Sequence, residues 1–476
     1  VTERVPKIVF VAVALVGALL LAYFAYRSPS YFTNQTNIVN VLLLEFLAVA
    51  IWLYRRVFFP IIIVTFLLAG VDLPVGSVWT AARWGVLAVG AAVGGLIMLK
   101  ERRCHFGLFH TLALFAVLSA GVSAAVSRYT SLSFLKVLSL LLLFIYAGTG
   151  ARLAVVDREN RFFSGLLLGC EIFVALIGGF YFLGIDAMGN PNSLGAVMGV
   201  VACPVLLWGI LLNPSPPTYR RRLVLYAIAM YLTFASHGRA GMLAGFASCG
   251  LLCLALRRYR LLLSGIGIIL ILIAVGAIVQ PEAFSRMASS FTSTIVFKGG
   301  DPSHGIFSSR QSPWQDAIST IQEHFWFGTG FGTSDNGHDA TEDIGKFSSS
   351  TSVTSEHGSS YLAVTTWVGM AGVLPFFLLL FILLQNIIRT VIWMSRTLNP
   401  AHAAVPLAMV VLAGIIHAVF EDWLFAPGYY LCVFFWAMAF IFVDQVRALP
   451  VANPRSVHFW RAQAIPQDLG TVASGR

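Results

Sequence analysis

Arg239, Arg310 and His357 lie far apart in a chain of 476 residues, yet their side chains suit one kind of chemistry, the handling of an anionic group and of an attacking hydroxyl. A guanidinium stays protonated at any relevant pH and meets two phosphate oxygens in one plane. Arg239, in the short connection His237, Gly238, Arg239, Ala240, therefore makes a local diphosphate site. An Arg whose head bonds helix-end carbonyls at the water boundary reads the same way in sequence. Imidazole, with an ordinary pKa of about 6.5, can take a proton from a hydroxyl. That is what His357 offers, with Glu356 before it and Ser359 and Ser360 after it; a plain interfacial His at a helix start is the other reading. In Gly189, Asn190, Pro191, Asn192 the residues serve turn chemistry, with Asn192 or Ser193 as a helix cap, and Asn190 and Asn192 could also contact a sugar. His338, Asp339, Glu342 and Asp343 match no metal-ligand spacing and read as a solvated acidic loop. There is no phosphate-cradling Gly loop followed by Lys, no Gly-x-Ser-x-Gly elbow and no zinc-type His pair, so neither a cofactor nor a metal is implied.

Such groups act together only if the fold gathers them, and composition restricts that fold. Hydrophobic residues make up 58% of the sequence and charged residues 11%, with a mean hydropathy of +0.82. A soluble domain carries about 25% charged residues, so soluble Rossmann, barrel and sandwich architectures are excluded. The chain reads as an integral membrane protein solvated by membrane lipids. Its formal charge of +10 bears on topology, and nothing calls for nucleic acid. The six Cys (Cys104, Cys170, Cys203, Cys249, Cys253, Cys432) sit in or beside apolar runs and imply no disulfide framework.

A helix needs about 20 apolar residues to cross about 30 Å of hydrocarbon. Such windows fall at 8–26, 38–54, 57–71, 78–98, 106–126, 131–149, 162–183, 193–213, 223–236, 240–256, 261–279, 360–386, 403–419 and 428–445. The first run has no small-residue cleavage site and reads as a retained span. The fold class is an all-α, polytopic transmembrane bundle of 12–14 spans, the lower number applying if one adjacent pair is lost. With the N-terminus cytoplasmic, 22 basic residues fall inside and nine outside, which sets both ends in the cytoplasm. Four regions follow: N-terminal spans over 1–188, a core over 189–386, C-terminal spans over 387–445 and a tail over 446–476.

The core contains the single large outer loop, 280–358, with nine acidic and four basic residues. Within it Ser312, Pro313 and Gln315 read as an N-cap, a first helical proline and a capping-box partner. Trp314, Ala317, Ile318, Ile321 and Phe325 then recur at helical spacing until Gly328, which predicts an amphipathic helix lying on the membrane surface. Its N-terminus, with Arg310 two residues ahead, favours an anion, although a basic residue bonding a loop is an equal alternative. Arg83, Lys136 and Glu45 lie inside their spans and are expected in ion pairs, while Glu171 lacks an evident partner.

In order along the chain, GNPNSLGA (189–196), SHGRAG (236–241), RQSPWQDAISTIQEHFWFGTGFG (310–332) and SEHGSSYLAVTTWVGMAG (355–372) resemble the O-antigen ligase and polymerase superfamily of bacterial membrane proteins. The resemblance implies a metal-independent, inverting glycosyltransferase of the bacterial inner membrane that works on the periplasmic face. It implies undecaprenyl diphosphate-linked glycan as donor and lipid A core or another glycan as acceptor. By motif position it implies Arg239 and Arg310 on the diphosphate and His357 near the acceptor hydroxyl; Asn190, Asn192 and Trp314 are the further candidate substrate contacts. Two positions depart from the pattern: Gly358 follows the His where Asn is frequent, and His237 with Gly238 separates Ser236 from Arg239. Ligase activity on lipid A core is the first expectation and polymerase activity the second. The rival from another class is a lipid-linked glycan flippase or transporter, which would gather polar groups at mid-membrane between repeated halves.

Overall fold

The computed structural model describes residues 76–101, 106–185, 190–279, 308–333 and 357–449, with a few isolated positions besides. The spans expected at 8–26, 38–54 and most of 57–71, the acidic stretch from His338 to Asp343, Glu45, Cys104 and the tail beyond 449 lie outside the described residues. Every regular element among the described residues is helical. In order come α1 (Gly76–Glu101), α2 (Leu108–Val126), α3 (Thr130–Tyr146), α4 (Glu159–Phe182), α5 (Pro191–Leu211, with a π-helical turn at Met198–Ala202), α6 (Pro216–Ala235) and α7 (Arg239–Ala255). They are followed by α8 (Tyr259–Val279), α9 (Ser308–Glu323), α10 (Ser360–Gly372), α11 (Leu374–Thr397), α12 (Ala404–His417) and α13 (Tyr430–Arg447).

Six of these stretches are long and apolar enough to cross a membrane: α2, Thr130–Ala151, α4, α5, α11 and α13. Arg83–Met98, Arg239–Ala255 and Ala404–His417 are shorter apolar helices. The chain is a polytopic helical membrane protein. α5 is buried from Leu194 to Leu211 and α13 along most of its length, so these two form the centre; α2, α4 and α11 show large apolar side chains such as Leu118, Leu176 and Phe381 on their outer surfaces. In a lipid solvent those outward groups cost nothing, and helix association depends on close packing instead. Gly195 and Gly199 on α5 face Gly241 and Gly245 on α7, and a Cβ on Gly199 or Gly241 would overlap the backbone of the opposite helix. This small-residue crossing brings the first turn of α7 against the first turn of α5.

The expected single span over 360–386 is broken. An unbroken helix would bond the N–H groups of Met370 and Ala371 to the carbonyls of Thr366 and Trp367. Gly369, at φ 68° and ψ 178°, turns the chain out of the helix instead, a conformation open essentially to glycine alone. A segment running on from α9 enters the gap. Met370 N–H donates to Phe325 O (2.8 Å) and Ala371 N–H to Trp326 O (3.1 Å), while Thr366 O accepts from Thr329 N–H (3.0 Å) and Trp367 O from Gly330 N–H (3.1 Å). These four backbone groups freed by the break are thus paired, as an apolar surrounding demands. The ends of α2 and α3 hold the same strap: Ser127 Oγ donates to Thr329 O (2.8 Å), Ser133 Oγ to Phe331 O (3.0 Å) and Lys136 Nζ to Gly332 O.

Three charge assignments change. Lys136 bonds the strap and Arg83 donates to Gly428 O at 2.8 Å, so both meet backbone carbonyls rather than an acid among the described residues. A carbonyl dipole satisfies a cation that a loop crosses closely. Glu171 does have partners, Arg221 (2.6 Å) and Arg222 (2.8 Å), which reach it from α6 on long flexible stems. Cys170, Cys203, Cys249, Cys253 and Cys432 are buried free thiols.

Gly369→Ala would place a Cβ against the Trp326 backbone and force an L-residue to a glycine conformation. We expect a loss of about 1–3 kcal/mol or more, seen as a lower melting temperature of the detergent-purified protein and faster proteolysis between Phe325 and Thr333. An unchanged melting temperature would refute the strap's role.

Candidate active site

Helix α9 begins at Ser308, four residues before the expected cap at Ser312, so Pro313 lies inside the helix and Arg310 in its first turn. Local propensity favours a start at Pro313; tertiary contacts carry the helix further back. Arg310 is buried and its Nη2 donates to Glu421 Oε1 from the connection between α12 and α13. Gly358 closes the other side, where a Cβ would stand 3.3 Å from Arg310 Cδ and 3.4 Å from both Pro313 Cβ and Trp314 Cδ1. With φ at 63°, Gly358 also adopts a left-handed turn that an Asn enters at some cost, which gives the departure from the family pattern a physical basis. Trp314 Nε1 donates to Gly358 O at 3.1 Å, so its polar edge is spent on the turn after His357.

His357 is buried just ahead of α10. Its backbone N–H donates to Asp422 Oδ2 at 3.2 Å, and its Nδ1 stands 3.7 Å from the same oxygen, an ion-pair separation without a hydrogen bond. The ring meets Trp367 edge to face, with centroids 5.7 Å apart. With Nδ1 turned to the carboxylate, Nε2 is the atom left for a proton from elsewhere. The connection carrying Glu421 and Asp422 is clamped to the start of α10. Ser360 N–H donates to Glu421 O (3.0 Å) and Ala418 O (2.9 Å), Ser360 Oγ donates to Glu421 O (2.6 Å), and Leu424 N–H donates back to Ser360 Oγ (3.0 Å).

Arg239 opens α7. His237, at φ 54°, ends α6, and the Gly238 N–H donates to Ser236 Oγ at 3.2 Å, so the two residues that separate Ser236 from Arg239 form the turn between helices. Arg239 is close enough to Arg310 for the two cations to repel one another. Asn190, not Asn192 or Ser193, caps α5: its side chain accepts from Asn192 N–H at 2.9 Å and Pro191 takes the first helical position. A proline there lacks the N–H that a cap would have to satisfy, which moves the cap one residue ahead of it. Neither Asn is bonded to Arg239, Arg310 or His357 among the described residues. They sit one helix crossing away, at the same end of the bundle, where Ser193 Oγ accepts from Tyr429 OH at 3.3 Å.

Arg310 and His357 therefore meet through Gly358 and through two consecutive acids, with Arg239 within reach of Arg310's charge. Residues 223–377 match the family model described as O-antigen ligase. Over that stretch the chain is similar to O-antigen ligases. No curated protein matches the chain. The O-antigen ligase match begins within α6 and ends within α11, and so contains Arg239, Arg310, Trp314, His357 and the strap. Asn190, Asn192, Glu421 and Asp422 lie outside it.

Glu421 and Asp422 went unnoticed in the sequence. The available signal was two consecutive acids in a short connection between apolar helices, on the side to which the charge count assigns Arg310 and His357. Burial raises the Asp422 pKa, but the side chain and backbone N–H of His357 outweigh it and hold the carboxyl below its ordinary 3.8. A depressed carboxyl contributes stability that is complete above the ordinary value and lost as pH falls through the lower folded value. Melting temperature should therefore show an acid limb lying below about pH 4, and Asp422→Asn should flatten it while lowering stability at pH 7. Identical limbs in the two proteins would refute the pairing.

Proposed function

We propose that the chain transfers a glycan from undecaprenyl diphosphate to an acceptor hydroxyl at the periplasmic face of the bacterial inner membrane, with a lipid A core sugar as acceptor. The reaction is an inverting displacement. A lone pair on the acceptor oxygen attacks the anomeric carbon, the bond from that carbon to the diphosphate oxygen breaks, and the diphosphate departs with the electron pair. Nε2 of His357 takes the acceptor's proton, with Asp422 at Nδ1 holding the ring and stabilising the imidazolium that forms. Arg239 and Arg310 neutralise the charge that grows on the leaving diphosphate, and no metal ion is needed for that task. Asn190, Asn192 and the indole of Trp314 border the sugars.

One observation supports this reading above the others: Gly358 lies against Arg310 while the adjacent acids Glu421 and Asp422 hold Arg310 and His357 respectively. A base for one reactant and a cation for the other are thereby kept within a few residues' span. Preorganised charge aimed at a leaving group is commonly the largest catalytic contribution, and one lost donor costs about 10²–10³ in rate.

In purified full-length protein reconstituted with donor and acceptor, His357→Ala, Arg239→Ala and Arg310→Ala should each lower transfer by about two to three orders of magnitude in protein that still folds and inserts, with the His357 and Arg310 variants melting at a lower temperature because each loses a buried partner. Arg310→Lys should recover only part, because an ammonium cannot hold two oxygens in a plane. Wild-type transfer should persist in a chelator. Full activity in the three alanine variants would remove the mechanism. Polymerase activity uses the same donor chemistry, and glycans from a deletion strain separate the two: lipid A lacking long chains beside normal lipid-linked polymer identifies a ligase, and single repeat units identify a polymerase.

A further inference from the structure

Among the described residues, the cations around Arg310 are matched by carboxylates. Arg239 and Arg310 contribute two positive charges; Glu421 and Asp422 contribute two negative ones. Asp422 serves His357, whereas Glu421 faces Arg310 directly and keeps its side chain 21% accessible, so it is open to exchange. Its main chain is fixed to the start of α10 by Ser360, which leaves the side chain as the part that can move. A guanidinium buried as deeply as Arg310 is costly to leave unpaired. Two neighbouring cations also gain more from a dianion set between them than from one carboxylate held by one of them.

We propose, on the reading that Arg310 binds a lipid diphosphate, that Glu421 is the anion that Arg310 exchanges for phosphate, and that its displaced charge then speeds release of the product. The donor diphosphate is esterified at both ends and carries two charges. Breaking the sugar bond frees a terminal phosphate whose further ionisation, with a pKa near 6, makes the product more negative than the donor. A carboxylate kept beside the site repels that product more strongly than it repels the donor. Glu421 thus holds Arg310 in place when the site is empty and limits product inhibition when it is full.

A purely structural carboxylate and an exchanging one predict opposite signs. Undecaprenyl diphosphate is added as an inhibitor of transfer by the purified full-length protein, and its inhibition constant is compared between wild type and Glu421→Gln. Exchange predicts tighter inhibition, on the order of tenfold, with multiple-turnover kcat falling by a larger factor than the single-turnover rate. Glu421→Asp, which retains the charge, should stay within about twofold of wild type. Unchanged or weaker inhibition in Glu421→Gln overturns the proposal, since loss of a positioning contact alone would loosen Arg310 and weaken product binding. Should Glu421→Gln fail to fold, Glu421→Met, uncharged and of similar length, repeats the comparison. If the wild-type protein itself is not inhibited, and Arg310→Lys changes nothing, the diphosphate reading fails as well.

Discussion

Two carboxylates at consecutive positions bind two basic groups that the sequence keeps 47 residues apart, and the geometry of the candidate site depends on that pairing. Glu421 takes Arg310 and Asp422 takes His357, so a single short connection fixes the distance between a cation and a base. Consecutive residues in an irregular connection present their side chains in different directions, which lets one turn of chain serve two partners. The turn is itself rigid, because Ser360 satisfies its carbonyls from the start of α10. Gly358 completes the junction from the opposite side, where any side chain would push against Arg310 and Trp314.

The broken helix extends the same logic. A long surface helix on an ordinary loop would leave Arg310 free to wander by several ångströms. Here α9 is fixed at its first turn by Glu421 and Gly358, and the strap that follows it is hydrogen-bonded into the gap between α10 and α11. Since His357 lies just ahead of α10, both Arg310 and the candidate base are referred to one helix. The cost of interrupting that helix in an apolar environment is offset by four backbone hydrogen bonds that the strap restores.

Much of this was legible in sequence, and the boundary between what was and was not follows sequence distance. Apolar windows marked α2, α4, α5 and α13 because a span is a local property. Arg239, Arg310 and His357 stood out because charged and titratable groups are rare at the edges of apolar runs. Glu421 was not legible as a partner, since its contact with Arg310 crosses 111 positions. Nor was the break at Gly369, where one glycine in Val368–Gly369–Met370 looks like the small residue of any membrane helix until another segment is seen to fill the gap. The start of α9 failed for a related reason: Pro313 is a strong local signal, and contacts to residues more than 40 positions away overrode it.

The distribution of polar groups bears on the transporter reading. At one end of the bundle Arg152 is bonded to Asp444 and His110, and Gln445 donates to Glu159. At the other end lie Arg239, Arg310, His357, Glu421 and Asp422, together with Tyr429 and Ser193. Between them the central helices α5 and α13 are packed with Val, Leu, Phe and Trp side chains. Glu171, the one carboxylate deep within α4, is closed off by two arginines, and Arg222 also donates to Gly209 O at 2.8 Å. A carrier that alternates access needs unsatisfied polar groups midway through the bundle, lining a cavity between two halves. A transferase that takes a lipid-borne donor from one leaflet needs no such groups in mid-bundle, and among the described residues Arg310, His357 and their two carboxylates share one end.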